Sequence, residues 1–272
     1  MTIPTTIIGG LEVSRLMCGS NPFFGYSHFS KARDIWQKEY FTHDRIVAVI
    51  AKCAEFGVNA VMGPPLEELH QAIVAARDVA GREINWVCTP WGSKPGELEQ
   101  GIAWCAERGV KICMPHSAWV DSHLVSSQNK IEGLEQYTKL IRSHGMIPGL
   151  STHRPDTLVS GEAGGYDIET YILPHNVAGF LLQVETDWNA RVIRQCPKPV
   201  MVIKPLGAGR IAPDGGLPFV YSTIKPIDTV CLGFTSPYEV EEDVAIIMQT
   251  LEGLPASVPL TTSRSKATLT RG

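Results

Sequence analysis

The sequence predicts an α/β fold, a (β/α)8 TIM barrel with an N-terminal β-hairpin. Eight short apolar runs lack polar alternation, which is typical of strands covered on both faces. Amphipathic helical patterns lie between these runs, and alternating strands and helices favour a parallel sheet. No G-x-G-x-x-G segment follows the first strand, so a closed barrel is favoured over an open dinucleotide-binding sheet. A chain of 272 residues has a common length for such a barrel.

The order of elements follows from the same periodicity. Thr5–Ile8 and Leu11–Val13 form a hairpin around Gly9-Gly10, since glycine tolerates the positive φ of such a turn. The expected barrel strands are Arg15–Cys18, Asn59–Met62, Ile84–Cys88, Lys111–Met114, Met146–Leu150, Phe180–Val184, Val200–Ile203 and Thr229–Leu232. We therefore expect one domain over residues 1–272, with the hairpin in 1–14 and a polar tail over 255–272.

Composition restricts the class of protein and its partners. Hydrophobic residues make up 44% and charged residues 19%, as in ordinary soluble domains. No apolar run reaches the roughly 18 residues of a membrane span, so no membrane partner is expected. The net charge is −4 with scattered basic residues, which predicts no nucleic-acid partner. Seven cysteines without a metal-type pair suit a reducing cytoplasm, whereas the oligomeric state stays open.

Polar side chains follow two of the predicted strands at their carboxyl ends. Ser151 and His153 come after Met146–Leu150, while Gln183 and Glu185 end the run that starts at Phe180. In an α/β barrel the carboxyl ends of the strands form one face, and that face holds the active site. These residues therefore predict a site at the barrel mouth.

Several short motifs occur in a family-like order along the chain. They are Gly10-Leu11-Glu12-Val13-Ser14, Gly149-Leu150-Ser151-Thr152, Gln183-Val184-Glu185, Pro205-Leu206-Gly207-Ala208-Gly209-Arg210 and Gly233 with Thr235-Ser236. In these segments the chain resembles the aldo/keto reductase superfamily. The resemblance implies a barrel that reduces carbonyl groups with NAD(P)H, using an Asp, a Tyr, a Lys and a His.

The catalytic residues implied by this resemblance are mostly missing. The segment Asn59–Pro65 contains neither the Asp nor the Tyr, and Thr89 stands at the lysine position. Only His116 matches. Because a carbonyl reductase needs an acid beside the developing alkoxide, the loss of Tyr and Lys argues against the ordinary mechanism.

Part of a cofactor site remains in the sequence. The resemblance implies that Ser151 and Gln183 bond the nicotinamide amide. The turn that contains Gly207, Gly209 and Arg210 is expected to hold a phosphate through its backbone N–H groups. No basic cluster follows the last strand to hold a 2′-phosphate.

Other residues predict chemistry of a different kind. His28, His116 and His153, together with Glu185, form a plausible ligand set for Zn²⁺, Mn²⁺ or Fe²⁺. Lys204 ends the seventh strand, where an ammonium group binds an anion or acts as an acid. The expected catalytic residues are therefore His116, His153, Lys204 and Glu185.

Three functional hypotheses follow. The leading one is an enzyme that acts on a small polar or anionic substrate by acid–base or metal-assisted chemistry, as a lyase, hydrolase or isomerase. The alternative is an NAD(P)H-dependent oxidoreductase in which Lys204 or Tyr26 replaces the missing acid. A second alternative is a non-catalytic binding protein on a decayed enzyme scaffold.

Overall fold

A computed structural model describes residues 1–258 and residue 260 of the chain. Its strands are, in chain order, β1 (Thr5–Ile8), β2 (Leu11–Ser14), β3 (Leu16–Gly19), β4 (Ala60–Gly63), β5 (Asn85–Cys88), β6 (Ile112–Cys113), β7 (Leu124–Val125), β8 (Lys130–Ile131), β9 (Ile147–Ser151), β10 (Thr170–Pro174), β11 (Val200–Ile203) and β12 (Thr229–Gly233). Strands β3, β4, β5, β6, β9, β10, β11 and β12 pair in that order and close into a parallel barrel. The predicted fold class is confirmed.

Helices alternate with these strands and cover the barrel. They are α1 (Lys31–Tyr40), α2 (His43–Glu55), α3 (Glu67–Ala80), α4 (Glu97–Glu107), α5 (Ser117–Val120), α6 (Leu134–Ser143), α7 (Pro155–Ala163), α8 (Thr186–Gln195), α9 (Pro213–Thr223) and α10 (Pro237–Leu251). Gly57 and Gly81 follow α2 and α3 with positive φ, as a left-handed helix end requires. The ends of α2 and α3 therefore follow from local sequence.

The hydrophobic core has two layers that the strand alternation separates. Met17 and Met62 point into the barrel, whereas their neighbours Leu16 and Val61 pack outward against the helices. Val13 of the hairpin joins the inner layer and is completely buried. The hairpin therefore closes the end of the barrel opposite the strand carboxyl ends, which leaves the other end to form a site.

The predicted sixth strand is wrong. The strand that pairs with β9 and β11 is β10, Thr170–Pro174, and Phe180–Val184 lies in the loop after it. Both segments are apolar runs of similar length, so periodicity does not distinguish them. Strand pairing identifies the true strand, because Ile172 pairs with Ser151 of β9 on one side and with Met201 of β11 on the other. In the other segment, Leu181 is 44% exposed and has a φ of 57°.

Three further expectations concern the ends and the thiols. The tail predicted over 255–272 lies outside the described residues except for 255–258 and 260. Within the described part of the chain, every helix is too short or too polar to cross a bilayer. All seven cysteines are free and buried, and a buried thiol packs as a small hydrophobic residue.

Candidate active site

Four basic side chains meet at the barrel mouth, and we call His28, His116, His153 and Lys204 the mouth cluster. His28 lies in the loop after β3, His116 follows β6, His153 follows β9 and Lys204 follows β11. Burial lowers the pKa of all three imidazoles, the positive charge of Lys204 lowers it further, and His116 and His28 add to the effect at His153. The fold therefore brings these four of the residues singled out from the sequence to one end of the barrel.

His116 is fixed in one orientation by the backbone. It is the N-cap of α5, where its Nδ1 accepts the N–H of Ala118 at 3.1 Å. A neutral imidazole that accepts at Nδ1 carries its proton on Nε2. Burial, followed by the charge of Lys204, lowers the pKa of His116 and favours this neutral form. His116 therefore presents an Nε2–H donor.

His153 is held through its main chain, and its ring is free to bind. Its backbone N–H donates to Asp121 Oδ2 at 3.0 Å, and the same carboxylate accepts the hydroxyl of Thr152. Its ring nitrogens bond to no residue in the described part of the chain. Burial lowers the pKa of His153 to about 4, with smaller effects from Lys204, His116 and His28. The ring is therefore neutral around pH 7.

Lys204 is an ammonium group without a carboxylate partner among the residues the structure describes. It is half-buried at the end of β11, and burial lowers its pKa. Desolvation disfavours the charged form, so this lysine releases a proton more readily than a surface lysine. Its φ of 58° is a conformation that costs non-glycine residues of order 1 kcal/mol and that clusters at functional sites.

His28 stands at the rim of the mouth cluster. It also adopts a left-handed conformation, with φ of 53°. Partial burial, followed by Lys204, lowers the pKa of His28, and Asp34 opposes this shift. Asp34 is itself bonded by the N–H and the hydroxyl of Ser27. The nearest carboxylate is thus already engaged.

The structure does not support the expected metal site. No group of three or more His, Cys, Asp or Glu side chains within residues 1–258 is arranged to hold a metal ion. Glu185, proposed as a ligand and catalytic residue, is exposed at the N-cap of α8. Its expected place at a strand end depended on a strand at Phe180–Val184, and that segment is a loop in the structure. The three imidazoles lie at the same barrel mouth, but they are not arranged to bind one Zn²⁺, Mn²⁺ or Fe²⁺ ion together.

The expected nicotinamide contacts divide into two groups. Ser151 is buried at the last position of β9, at the mouth, as predicted. Gln183 is exposed in the loop after β10, so its expected place at a strand end is wrong. The error has the same origin as that for Glu185.

The glycine-rich turn after β11 has fewer free donors than expected. The N–H of Gly207 donates to the Lys204 carbonyl, and those of Gly209 and Arg210 donate to the Leu206 carbonyl. The N–H groups of these three residues are thus already bonded within the turn, and phosphate binding at this turn stays a prediction. The guanidinium of Arg210 remains exposed at the rim.

Sequence reasoning missed residues that only the fold connects. Asp121, after β6, holds the main chain of His153 across 32 positions of sequence. Arg33 belongs to α1, a helix absent from the predicted pattern, although Ser30 caps it by accepting the Arg33 N–H at 3.2 Å. A serine three residues before that arginine was the available signal.

Structural comparison supports the fold. The chain aligns with a Pseudomonas aeruginosa protein assigned to the aldo-keto reductases, at a TM-score of 0.66 and 16% identity over 91% of this chain and 96% of that one. The glycerol dehydrogenase AKR11B4 of Gluconobacter oxydans aligns at 0.60 and 12% identity, over 95% and 98% of the two chains. A Klebsiella pneumoniae aldo/keto reductase in complex with NADP and acetate aligns at 0.57 and 13%, over 97% and 99%.

Comparison by sequence found no relatives of this chain. No family model matches the chain, and no curated protein matches it. The structural likeness shows that the chain has the (β/α)8 fold of the aldo-keto reductases, in agreement with the resemblance of its motifs.

The leading functional hypothesis is corrected by the same comparison. The structures compared above are described as aldo-keto reductases or as a glycerol dehydrogenase, and none of them is described as a lyase, a hydrolase or an isomerase. The loss of the Asp, Tyr and Lys was taken as a change of reaction class.

Proposed function

We propose that this chain is an oxidoreductase that reduces a carbonyl group on a small molecule with NAD(P)H, and that Lys204 supplies the proton. The observation that carries the proposal is the mouth cluster, which lies at the strand carboxyl ends of an aldo-keto reductase fold. An acid is needed beside the developing alkoxide. Lys204 is the amine at this mouth, and burial lowers its pKa, which eases the release of its proton.

The described residues fit a dinucleotide in part. Ser151 lies where the resemblance implies a bond to the nicotinamide amide, and the exposed guanidinium of Arg210 is available to a phosphate. Gln183 and the amides of the glycine turn do not support binding. When bound, the nicotinamide ring supplies a hydride to the carbonyl carbon.

The end of β12 favours NADH over NADPH. Glu239 accepts both the N–H and the hydroxyl of Thr235 at 2.6 Å, so a carboxylate occupies the N-terminal end of α10. The resemblance implies that a 2′-phosphate would need a basic cluster after this strand. A carboxylate there repels a second anion.

The side chains of the mouth cluster have distinct roles in this mechanism. The Nε2–H of His116 donates a hydrogen bond to the carbonyl oxygen and polarises the bond. The ammonium of Lys204 transfers its proton to that oxygen as negative charge develops, which gives the alcohol. His28, at the rim, returns a proton from solvent to the neutral amine of Lys204, and His153 stays neutral beside it.

Tyr26, the other acid considered, is less suited to this role. Its side chain is 48% exposed, and an exposed phenol is neither desolvated nor oriented for proton transfer. We assign Glu185 no catalytic role because it caps α8 at the surface. The chain is proposed to act as one domain, with the 1–14 hairpin as the closed end of the barrel.

The test combines binding with turnover. Titration with NADH should quench tryptophan fluorescence, and a panel of small aldehydes, ketones and 2-oxo acids should include compounds that oxidise NADH. Lys204→Met should abolish turnover, while Lys139→Met, at an exposed lysine on α6, should not. If neither NADH nor NADPH binds, the oxidoreductase proposal fails and the non-catalytic alternative gains support.

A further inference from the structure

Two arginines without acidic partners lie beside the mouth cluster. Arg33 comes from α1 and Arg210 from the loop after β11, and both guanidinium groups stack on the ring of Phe29. The guanidinium carbons lie 4.1 Å and 5.3 Å from the centre of that ring. Segments far apart in sequence thus present two cations on one aromatic side chain.

The position of Arg210 is fixed before any ligand arrives. Its Nη1 donates to the carbonyls of His28 at 3.2 Å and Gly207 at 3.0 Å, and its guanidinium stacks 4.1 Å from the ring centre of Phe180. These bonds use one nitrogen, so the remaining N–H groups are available. A preorganised guanidinium loses little entropy on binding an anion.

The charges around this pair are not balanced. Within the described residues, neither Arg33 nor Arg210 forms an ion pair with a carboxylate, and neither does Lys204. Asp34, the carboxylate that influences His28, is already bonded by Ser27. Two guanidinium groups on one ring repel each other. An anion bound by both would attract each of them and offset that repulsion.

We propose that Arg33 and Arg210 clamp a phosphate or pyrophosphate group of a bound ligand. The reacting end of the same ligand lies at the mouth cluster, and this second assignment rests on the proposed function. The N–H groups of the glycine-rich turn already donate to the Lys204 and Leu206 carbonyls, so the guanidinium groups bind the phosphate in their place. The phosphate belongs either to the dinucleotide or to a phosphorylated carbonyl substrate. Both sources share the same chemistry, and the test separates them.

The experiment measures equilibrium binding by calorimetry, independent of turnover. Wild type, Arg33→Gln and Arg210→Gln are titrated with ADP-ribose, which has the pyrophosphate but no nicotinamide, and with glycolaldehyde phosphate. The matched control is Arg45→Gln, because Arg45 is also exposed, stacks 4.3 Å from the Tyr40 ring and donates to a backbone carbonyl at 2.6 Å. Loss of one charge-assisted contact should weaken binding about tenfold.

The outcomes separate the two sources and the two proposals. Weaker ADP-ribose binding in both clamp variants, with Arg45→Gln unchanged, assigns the clamp to the dinucleotide. Weaker binding of glycolaldehyde phosphate alone assigns it to the substrate. Unchanged affinities for both ligands, or no binding of either by wild type, overturn the clamp. If the clamp variants weaken ADP-ribose binding but NADH is never oxidised, the clamp stands and the oxidoreductase proposal fails.

Discussion

His153, which is half-buried, and His175, which is fully buried, are two imidazoles with opposite surroundings. Burial lowers the pKa of each to about 4. Both ring nitrogens of His175 are bonded, to Asn189 at 3.1 Å and to Thr223 at 2.9 Å. The ring of His153 bonds to nothing in the described part of the chain, and Lys204 lies nearby. A shifted pKa is therefore not sufficient to mark an active site, and unfilled hydrogen-bonding capacity beside a charge is the better indicator.

Removing the charge from the mouth cluster should produce the largest effect. Lys204→Met should lower kcat by roughly 100- to 10,000-fold, the range for loss of a general acid. The same variant should unfold at an equal or higher denaturant concentration, because it removes a desolvated cation. Steady-state NADH oxidation and urea unfolding measure the two effects. Retention of kcat would remove Lys204 from the mechanism.

Replacing each histidine by leucine compares the two environments directly. His175→Leu should lower the free energy of unfolding by about 2–3 kcal/mol, since it takes a hydrogen-bond partner from Asn189 and Thr223. His153→Leu should change it by less than about 1 kcal/mol but impair turnover. Urea unfolding monitored by fluorescence provides both values. Equal destabilisation by the two variants would show that the hydrogen bonds of His175 do not make it more important for stability than His153.

Acid should destabilise the protein through these same rings. Each has its pKa lowered from the ordinary value of 6.5 to about 4, so the unfolded chain binds protons that the folded chain does not. The stabilisation is fully present above pH 6.5 and is lost as the pH falls towards 4, by on the order of 2–3 kcal/mol for a fully buried ring. His175→Gln should flatten this slope in a series of urea unfolding curves. An unchanged slope would show that His175 is charged in the folded state.

Asp243 tests whether an unfilled buried group marks function by itself. Its Oδ1 is buried without a partner among the described residues, and burial, with Glu239 and Glu242, raises its pKa to about 8. The folded chain therefore holds a proton that the unfolded chain loses, so stability declines from about pH 4 and is lowest above pH 8. Asp243→Asn should raise the free energy of unfolding by about 1–2 kcal/mol at pH 8 and not at pH 4.

The same variant should leave NADH oxidation unchanged, because Asp243 lies on α10 and no positive charge contributes to its pKa shift. A loss of turnover in Asp243→Asn would instead extend the active site to this helix. In that case, an unpartnered buried group would indicate function even without a positive charge beside it.

Local sequence located residues at the barrel mouth where the preceding strand was correctly predicted, and their catalytic roles stay predictions. His116, His153 and Lys204 each come directly after a run that is a strand in the structure, so the barrel brings them together. Gln183 and Glu185 failed for the converse reason, because they follow a run that is not a strand. The quality of each site prediction therefore depended on one secondary-structure assignment.

By itself the sequence determined the alternation of strands and helices apart from the sixth strand and α1, the hairpin around Gly9-Gly10 and the polar residues at most strand ends. These features depend on side-chain periodicity and on backbone preferences within a few residues. Only the tertiary structure decided that Thr170–Pro174 is the sixth strand, that the turn amides are spent and that Arg33 meets Arg210 on Phe29. Each of these depends on which distant segments pair, and pairing is settled by register and packing over the whole barrel.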